Sequence, residues 1–187
     1  MKSVTNIAIT YCSGSGHTRK LAQLISDGAS QGGATPILYD VENLSKTDWD
    51  GINAADAIIF GAPTYMGSVA AAFKSFMDQS SDLWIDQKWG DKIAAGFTVA
   101  TFPSGDKLVS LQQLSVFAAQ HGMVWVGQNL IGAPANKDAA GINQAGSWLG
   151  YTATSSRDKS LLIDAGDATT AIEFGKRIAI ATRRWQD

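Results

Sequence analysis

Apolar and polar positions follow one another along the chain in two rhythms. Thr5–Tyr11 (TNIAITY) is β-branched and apolar and stops at a Ser-Gly-Ser-Gly run, the pattern of a buried strand. From Thr18 to Ser30 the residues Leu21, Leu24 and Ile25 recur at helical spacing until Gly32-Gly33 ends the run. Thr35–Tyr39 predicts a second strand, and Ala57–Phe60 (AIIF) a third, halted by Gly-Ala-Pro. Ala70–Met77 sets Phe73, Phe76 and Met77 on one helical face. Ile93–Ala100 (IAAGFTVA) reads as a fourth strand, Leu108–Gln120 as an amphipathic helix and Met123–Val126 as a fifth strand. An irregular stretch from Gly127 to about Asp164 precedes a last helix around Ala168–Arg184.

Strand and helix alternate, and the strands are apolar throughout rather than on every second residue. That combination predicts a parallel sheet covered by helices on both faces, an α/β architecture. No repeat, low-complexity run or linker interrupts it, so residues 1–187 are read as one domain. In such sheets a ligand lies beyond the carboxyl ends of the strands, where the strand order reverses. The segments to inspect are therefore 12–18, 61–68 and 99–107.

Composition narrows the partners. The chain carries 15 basic and 17 acidic side chains for a net charge of −2, too balanced to predict nucleic acid or an anionic membrane as partner. The single cysteine, Cys12, excludes an internal disulfide and fits a reducing compartment. No secretory leader or membrane-spanning run is evident, and the expected location is the cytoplasm.

Candidate chemistry lies in the three loops. Ser13-Gly14-Ser15-Gly16-His17-Thr18 joins the first strand to the first helix. Its glycines allow backbone N–H groups to converge, its hydroxyls add donors, and the helix N-terminus adds partial positive charge, which together suit a phosphate. A dinucleotide fingerprint would need Gly or Ala where Arg19 stands, and a P-loop would need Gly-Lys-Ser/Thr. The bland alternative is a Gly/Ser turn with Thr18 as helix cap. In Gly61-Ala62-Pro63-Thr64-Tyr65-Met66-Gly67-Ser68, Pro63 stiffens the loop. Gly67 permits close backbone approach, Tyr65 and Met66 suit a flat heteroaromatic ring, and Thr64 suits its polar edge. Otherwise Tyr65 and Met66 merely fill local gaps. Val99-Ala100-Thr101-Phe102-Pro103-Ser104 would form the opposite rim.

Three segments taken together, YCSGSGHTRKLA, GAPTYMGSVAAAFKSFMDQSSDLW and KIAAGFTVAT…QHGMVWV, resemble the flavodoxin-like NAD(P)H:quinone oxidoreductases, the Trp-repressor-binding-protein-like (WrbA-type) flavoproteins. The resemblance is collinear over roughly residues 5–130. It implies a three-layer α/β/α sandwich with a five-stranded sheet in the order 2-1-3-4-5. It further implies FMN as cofactor, NAD(P)H as co-substrate, two-electron transfer to a quinone-type acceptor, and a homo-oligomer, dimer or tetramer. By position, Ser13 to Thr18 would hold the FMN phosphate. Pro63 to Gly67 and Val99 to Ser104 would border the isoalloxazine. His121 matches the family histidine beside the flavin, and Trp84 a tryptophan that in family tetramers reaches over a flavin and lines the acceptor pocket. Departures are Ser15 for an aromatic, Tyr65-Met66 for an Arg-Phe pair, and a longer third loop bearing Pro103, Asp106 and Lys107.

The singletons point to little else. His17, His121 and Cys12 lack metal-site spacing. His121 ends a helix, where the dipole favours an imidazolium, so a purely structural role competes with flavin contact. Cys12 reads as packing, Ser13 lacks a His–Asp pair for hydrolysis, and Trp89 reads as core, intersubunit patch or lid. The rival functions are a flavodoxin-type electron carrier, an NADPH-dependent FMN or azo reductase, and a non-catalytic binding protein.

Overall fold

The computed structural model describes residues 4–156, 158 and 160–187 and arranges them as a sheet between two helical layers. In chain order the elements are β1 (Thr5–Tyr11), α1 (His17–Gln31), β2 (Ala34–Asp40), α2 (Lys46–Ala54), β3 (Ala57–Tyr65), β4 (Ser68–Val69) and α3 (Ala71–Gln79). There follow α4 (Ser81–Ile85), β5 (Ile93–Ala100), α5 (Lys107–Gln120), β6 (Val124–Trp125), β7 (Tyr151–Thr154) and α6 (Ala165–Gln186). The sheet runs β2-β1-β3-β5-β6, with β4 antiparallel on β3 and β7 parallel on β5.

The flavodoxin-like class and the expected strand order hold; the count of five does not. The fifth position is filled twice along one edge of β5. Val124–Trp125 pairs with Ile93–Ala94, and Tyr151–Thr154 pairs further along with Phe97–Ala100. Residues 126–150 loop out between the two pieces. The stretch read as irregular thus contains a strand, because four residues give little periodicity and their pairing partner lies some fifty positions upstream. Helix α2 was also not expected. Its nine residues include Gly51 and two aspartates, poor helix formers, and it is secured by a capping box between Ser45 and Asp48. Trp49 then stacks on Phe76 at 5.1 Å.

Alternation along the strands explains the two cores. Ile7 and Ile9 of β1, Ala57 and Ile59 of β3, and Phe97 and Val99 of β5 face α1 and α6. Ala8, Ile58, Phe60 and Ala94 face the layer of α2, α3 and α5. Both faces being buried, no position on these strands needed to be polar. Helices α1 and α6 approach closely because both carry glycine at the crossing. A Cβ on Gly28 would lie 1.9 Å from the Ile172 carbonyl oxygen, and one on Gly175 2.1 Å from that of Ile25. Among the described residues no helix is long and apolar enough to cross a membrane.

Candidate functional site

The turns after β1, β3, β5 and β7 emerge at the same end of the sheet, as parallel pairing requires. The first begins where β1 stops at Tyr11. Gly16, at φ 91°, is the N-cap of α1 and offers no side-chain cap. Thr18 lies inside the helix, 1% exposed, so the reading of it as the cap is corrected. Ser13 Oγ accepts from the Arg19 amide at 3.2 Å, and the Gly16 carbonyl accepts from Lys20. The amides at the very start of the helix therefore face a cleft lined by Gly14, Ser15, His17 and Thr18. Pro63, Thr64, Tyr65, Val99, Ala100, Thr101 and Ser155 complete its wall. Among the described residues no carboxylate lines this cleft, which its neutral donors make fit for a phosphate dianion.

Beyond Tyr65 the chain reverses in a two-residue hairpin. Met66 (φ 49°) and Gly67 (φ 76°) both occupy the left-handed region, and β4 pairs back on β3 through Tyr65↔Ser68 and Thr64↔Val69. Tyr65 lies over the first loop: a Cβ on Gly14 would meet its hydroxyl oxygen at 2.6 Å, so a larger residue there would push the Tyr65 ring aside. Met66 is fully exposed at the tip. Thr64 turns inward, its hydroxyl bonded to Thr98 Oγ1 and Ser110 Oγ, each at 2.8 Å. The expectation that Thr64 presents its hydroxyl to a ring edge is thereby corrected: burial commits that group to the protein's own network.

The third loop faces the hairpin across a slot lined by Tyr65, Met66, Gly67, Ala100, Thr101 and Phe102. Phe102 is exposed, Pro103 lines a neighbouring cleft on the loop's far side, and Ser104 stands exposed at the tip. The loop ends on Asp106 at φ 52°. Lys107 follows, 3% exposed, and donates to the Ala153 carbonyl and Thr154 Oγ1, each at 3.0 Å. Burial lowers its pKa and raises that of nearby Asp167, whose carboxylate accepts from the Thr154 amide.

A fourth wall was missed from sequence. Ser155 lines the first cleft, and Ser156, Asp158, Leu162 and Asp164 line the adjoining one with Ser15, His17 and Pro103. The usable signal was Tyr151–Thr154, an aromatic and β-branched run between Gly150 and the polar cluster Ser155–Ser160.

His121 and Trp84 are brought together, but elsewhere. They share a cleft with Lys74, Met77, Ser80 and Phe117, at the end of α5 opposite the third loop, about 20 Å away along a 14-residue helix. His121 is 2% exposed and packs on Trp89 at 4.4 Å and Phe117 at 4.8 Å. Ser80 Oγ donates to the Met77 carbonyl, so its contact with His121 Nε2 at 2.9 Å is an N–H donated by the ring. Nδ1 then carries a lone pair with no hydrogen-bond partner among the described residues. Burial lowers the imidazole pKa to about 4, so the imidazolium expected at this helix end is corrected: desolvation exceeds the dipole. Trp84 is half exposed, whereas Trp89 is core, its indole N–H on Asn53 Oδ1. Cys12 is buried, and desolvation, with Glu42 and Asp40 adding to it, pushes its thiol up to about 12, which leaves no nucleophile.

Comparison with known proteins bears on this arrangement. The family profile described as NADPH-dependent FMN reductase matches residues 5–137. A relative named Flavodoxin FldP from Pseudomonas aeruginosa is 39% identical, over 94% of this chain and 96% of that protein. One named NAD(P)H dehydrogenase (quinone) from Archaeoglobus fulgidus is 27% identical over the same shares. A crystal structure of a flavodoxin, WrbA-like protein from Agrobacterium tumefaciens superposes with a TM-score of 0.75 at 37% identity, covering 96% of this chain and 98% of that one.

Proposed function

The chain belongs to the NADPH-dependent FMN reductase family, within its WrbA-type flavodoxin-like members, and from that premise we propose that it passes two electrons from NAD(P)H to a quinone-type acceptor on bound FMN. The observation that carries this reading is the uncapped, glycine-lined start of α1, whose neutral donors open on a cleft continuous with two ring-sized walls.

In this reading the amides and hydroxyls of Ser13 to Thr18 hold the FMN phosphate. Tyr65 and the backbone of Pro63 to Gly67 form one wall of the ring slot, and Ala100 to Phe102 the other. Bound there, FMN supplies a redox centre able to take a hydride and return two electrons. The protein's own part is to bind, orient and dehydrate. Tyr65 and Phe102 offer exposed aromatic surface to a bound ring from the two sides of the slot, and the buried Thr98–Thr64–Ser110 hydroxyls hold Thr64 beneath it. Trp84 and His121 act from a second copy of the chain, lining the acceptor pocket over its neighbour's ring. Their separation from the loops of their own chain supports that assembly. His121, neutral at physiological pH and buried among Trp89 and Phe117, shapes that pocket by packing and not as a cation.

A second reading rests on the relative named flavodoxin: a one-electron carrier using the same cofactor site. Anaerobic titration separates the two. Purified protein with FMN should bleach on addition of NADPH or NADH and recover colour with one benzoquinone per nucleotide consumed. An FMN-loaded protein that no nicotinamide reduces would establish the carrier, and a protein that leaves FMN unbound would overturn both.

A further inference from the structure

We infer that Gln113, on α5, is a positioning residue for the flavin ring, acting through the hairpin that carries Tyr65 and Met66; the inference rests on the FMN reading above. That hairpin has two residue pairs and a turn in which Met66, a residue with a Cβ, sits at φ 49°. Two pairs are marginal in isolation, and a side chain with a Cβ is strained in this region. Something outside the hairpin must hold it.

The side-chain carbonyl of Gln113 does so. Oε1 accepts from the Val69 amide and from Ser68 Oγ, each at 3.1 Å, which fills both of its lone pairs. The Val69 amide is an obligate donor, so this orientation of the Gln113 amide follows from the bond and not from convention. Val69 is the residue opposite Thr64, and Ser68 the one opposite Tyr65. One acceptor therefore grips the return strand directly behind both residues of the wall. One turn earlier on α5, Ser110 holds Thr64 from the other strand, and one turn earlier still Lys107 holds the fourth wall at Ala153 and Thr154. A single helix thus ties both strands of the hairpin wall to β7. Gln113's own two bonds lie on the return strand at Ser68 and Val69 and not on the phosphate loop, so its loss acts first on the ring wall.

The test compares Gln113→Met, of equal length without an acceptor, with Gln113→Glu, which keeps acceptor oxygens. In the unliganded protein the Val69 amide should exchange at least about tenfold faster in Q113M than in the wild type, measured by NMR. Riboflavin and FMN should both bind about five- to tenfold more weakly, by the same factor, since one or two neutral hydrogen bonds are lost. Visible circular dichroism of bound flavin should fall in Q113M, and Q113E should restore all three readouts. Ser68→Ala, which removes one arm from the exposed side, should give a part of the effect even if Q113M folds poorly. Unchanged Val69 exchange in Q113M, loss of FMN without loss of riboflavin, or a Q113E protein indistinguishable from Q113M would overturn the role. A wild-type protein that binds no flavin would instead overturn the FMN reading, and the exchange rates would still report whether Gln113 holds the hairpin.

Discussion

The start of α1 and the far end of α5 treat their polar atoms in opposite ways. At the carboxyl end of the sheet, helix α1 starts on Gly16 without a side-chain cap, and its first amides open on a cleft free of carboxylates among the described residues. At the far end, His121 is packed between Trp89 and Phe117 and its Nε2–H is spent on Ser80. Donors left without internal partners but facing solvent are poised for an anion, because binding costs no rearrangement of the protein. A buried imidazole is the reverse: solvation is lost and no carboxylate restores it, so the ring stays neutral. Exposure of unclaimed groups, more than the type of residue, separates a binding site from a packed one.

Four measurements sharpen or break that contrast. The largest effect belongs to the phosphate: FMN should bind at least about a hundredfold more tightly than riboflavin, as two or more charge-assisted bonds of about 1.5–3 kcal/mol require. Equal affinities in a fluorescence titration would remove the first loop from the site. Next comes the pH response of His121. With a folded pKa near 4 against an ordinary value of 6.5, the buried neutral ring contributes stability that is present above pH 6.5 and is lost as pH falls towards 4. The loss is roughly 2 kcal/mol after allowing for relaxation around the ring. Thermal melts of His121→Gln should lack this part of the acid sensitivity; a variant as acid-sensitive as the wild type would refute the assignment. Third, Tyr65→Ala should lower kcat/KM by about tenfold while FMN affinity falls less, since orientation and not retention is its task. Equal losses in both would displace it from the ring. The smallest effect is that of Trp84→Ala, which should raise the quinone KM about fivefold through loss of an aromatic contact, with the melting temperature nearly unchanged. An unchanged KM would end the case for a second copy reaching the acceptor pocket.

Much of the candidate site was legible because it is local. The Ser-Gly-Ser-Gly turn between a strand and a helix, and Pro63 to Gly67 after the third strand, announce themselves by residue type within a few positions. Thr64 shows the limit: its place in the second loop was legible, but its hydroxyl points to Ser110, 46 residues away. Lys107 is similar, a charged residue that reads as surface and is buried against β7. The S-x-x-D at Ser45–Asp48 was a readable start for α2 that weak helix propensity obscured.

By itself, the sequence determined the alternation of strands and helices, the burial of both sheet faces, and the anion-ready turn after the first strand. Each depends on periodicity or backbone freedom over a handful of neighbours, which the order of residues specifies directly. Only the tertiary structure decided that two separate segments share one edge of β5, that the turn after β7 is a fourth wall, and that His121 lies a helix length from the loops. Those outcomes are pairings between residues far apart in the chain, selected by which surfaces bury together, and no local run of residues encodes them alone.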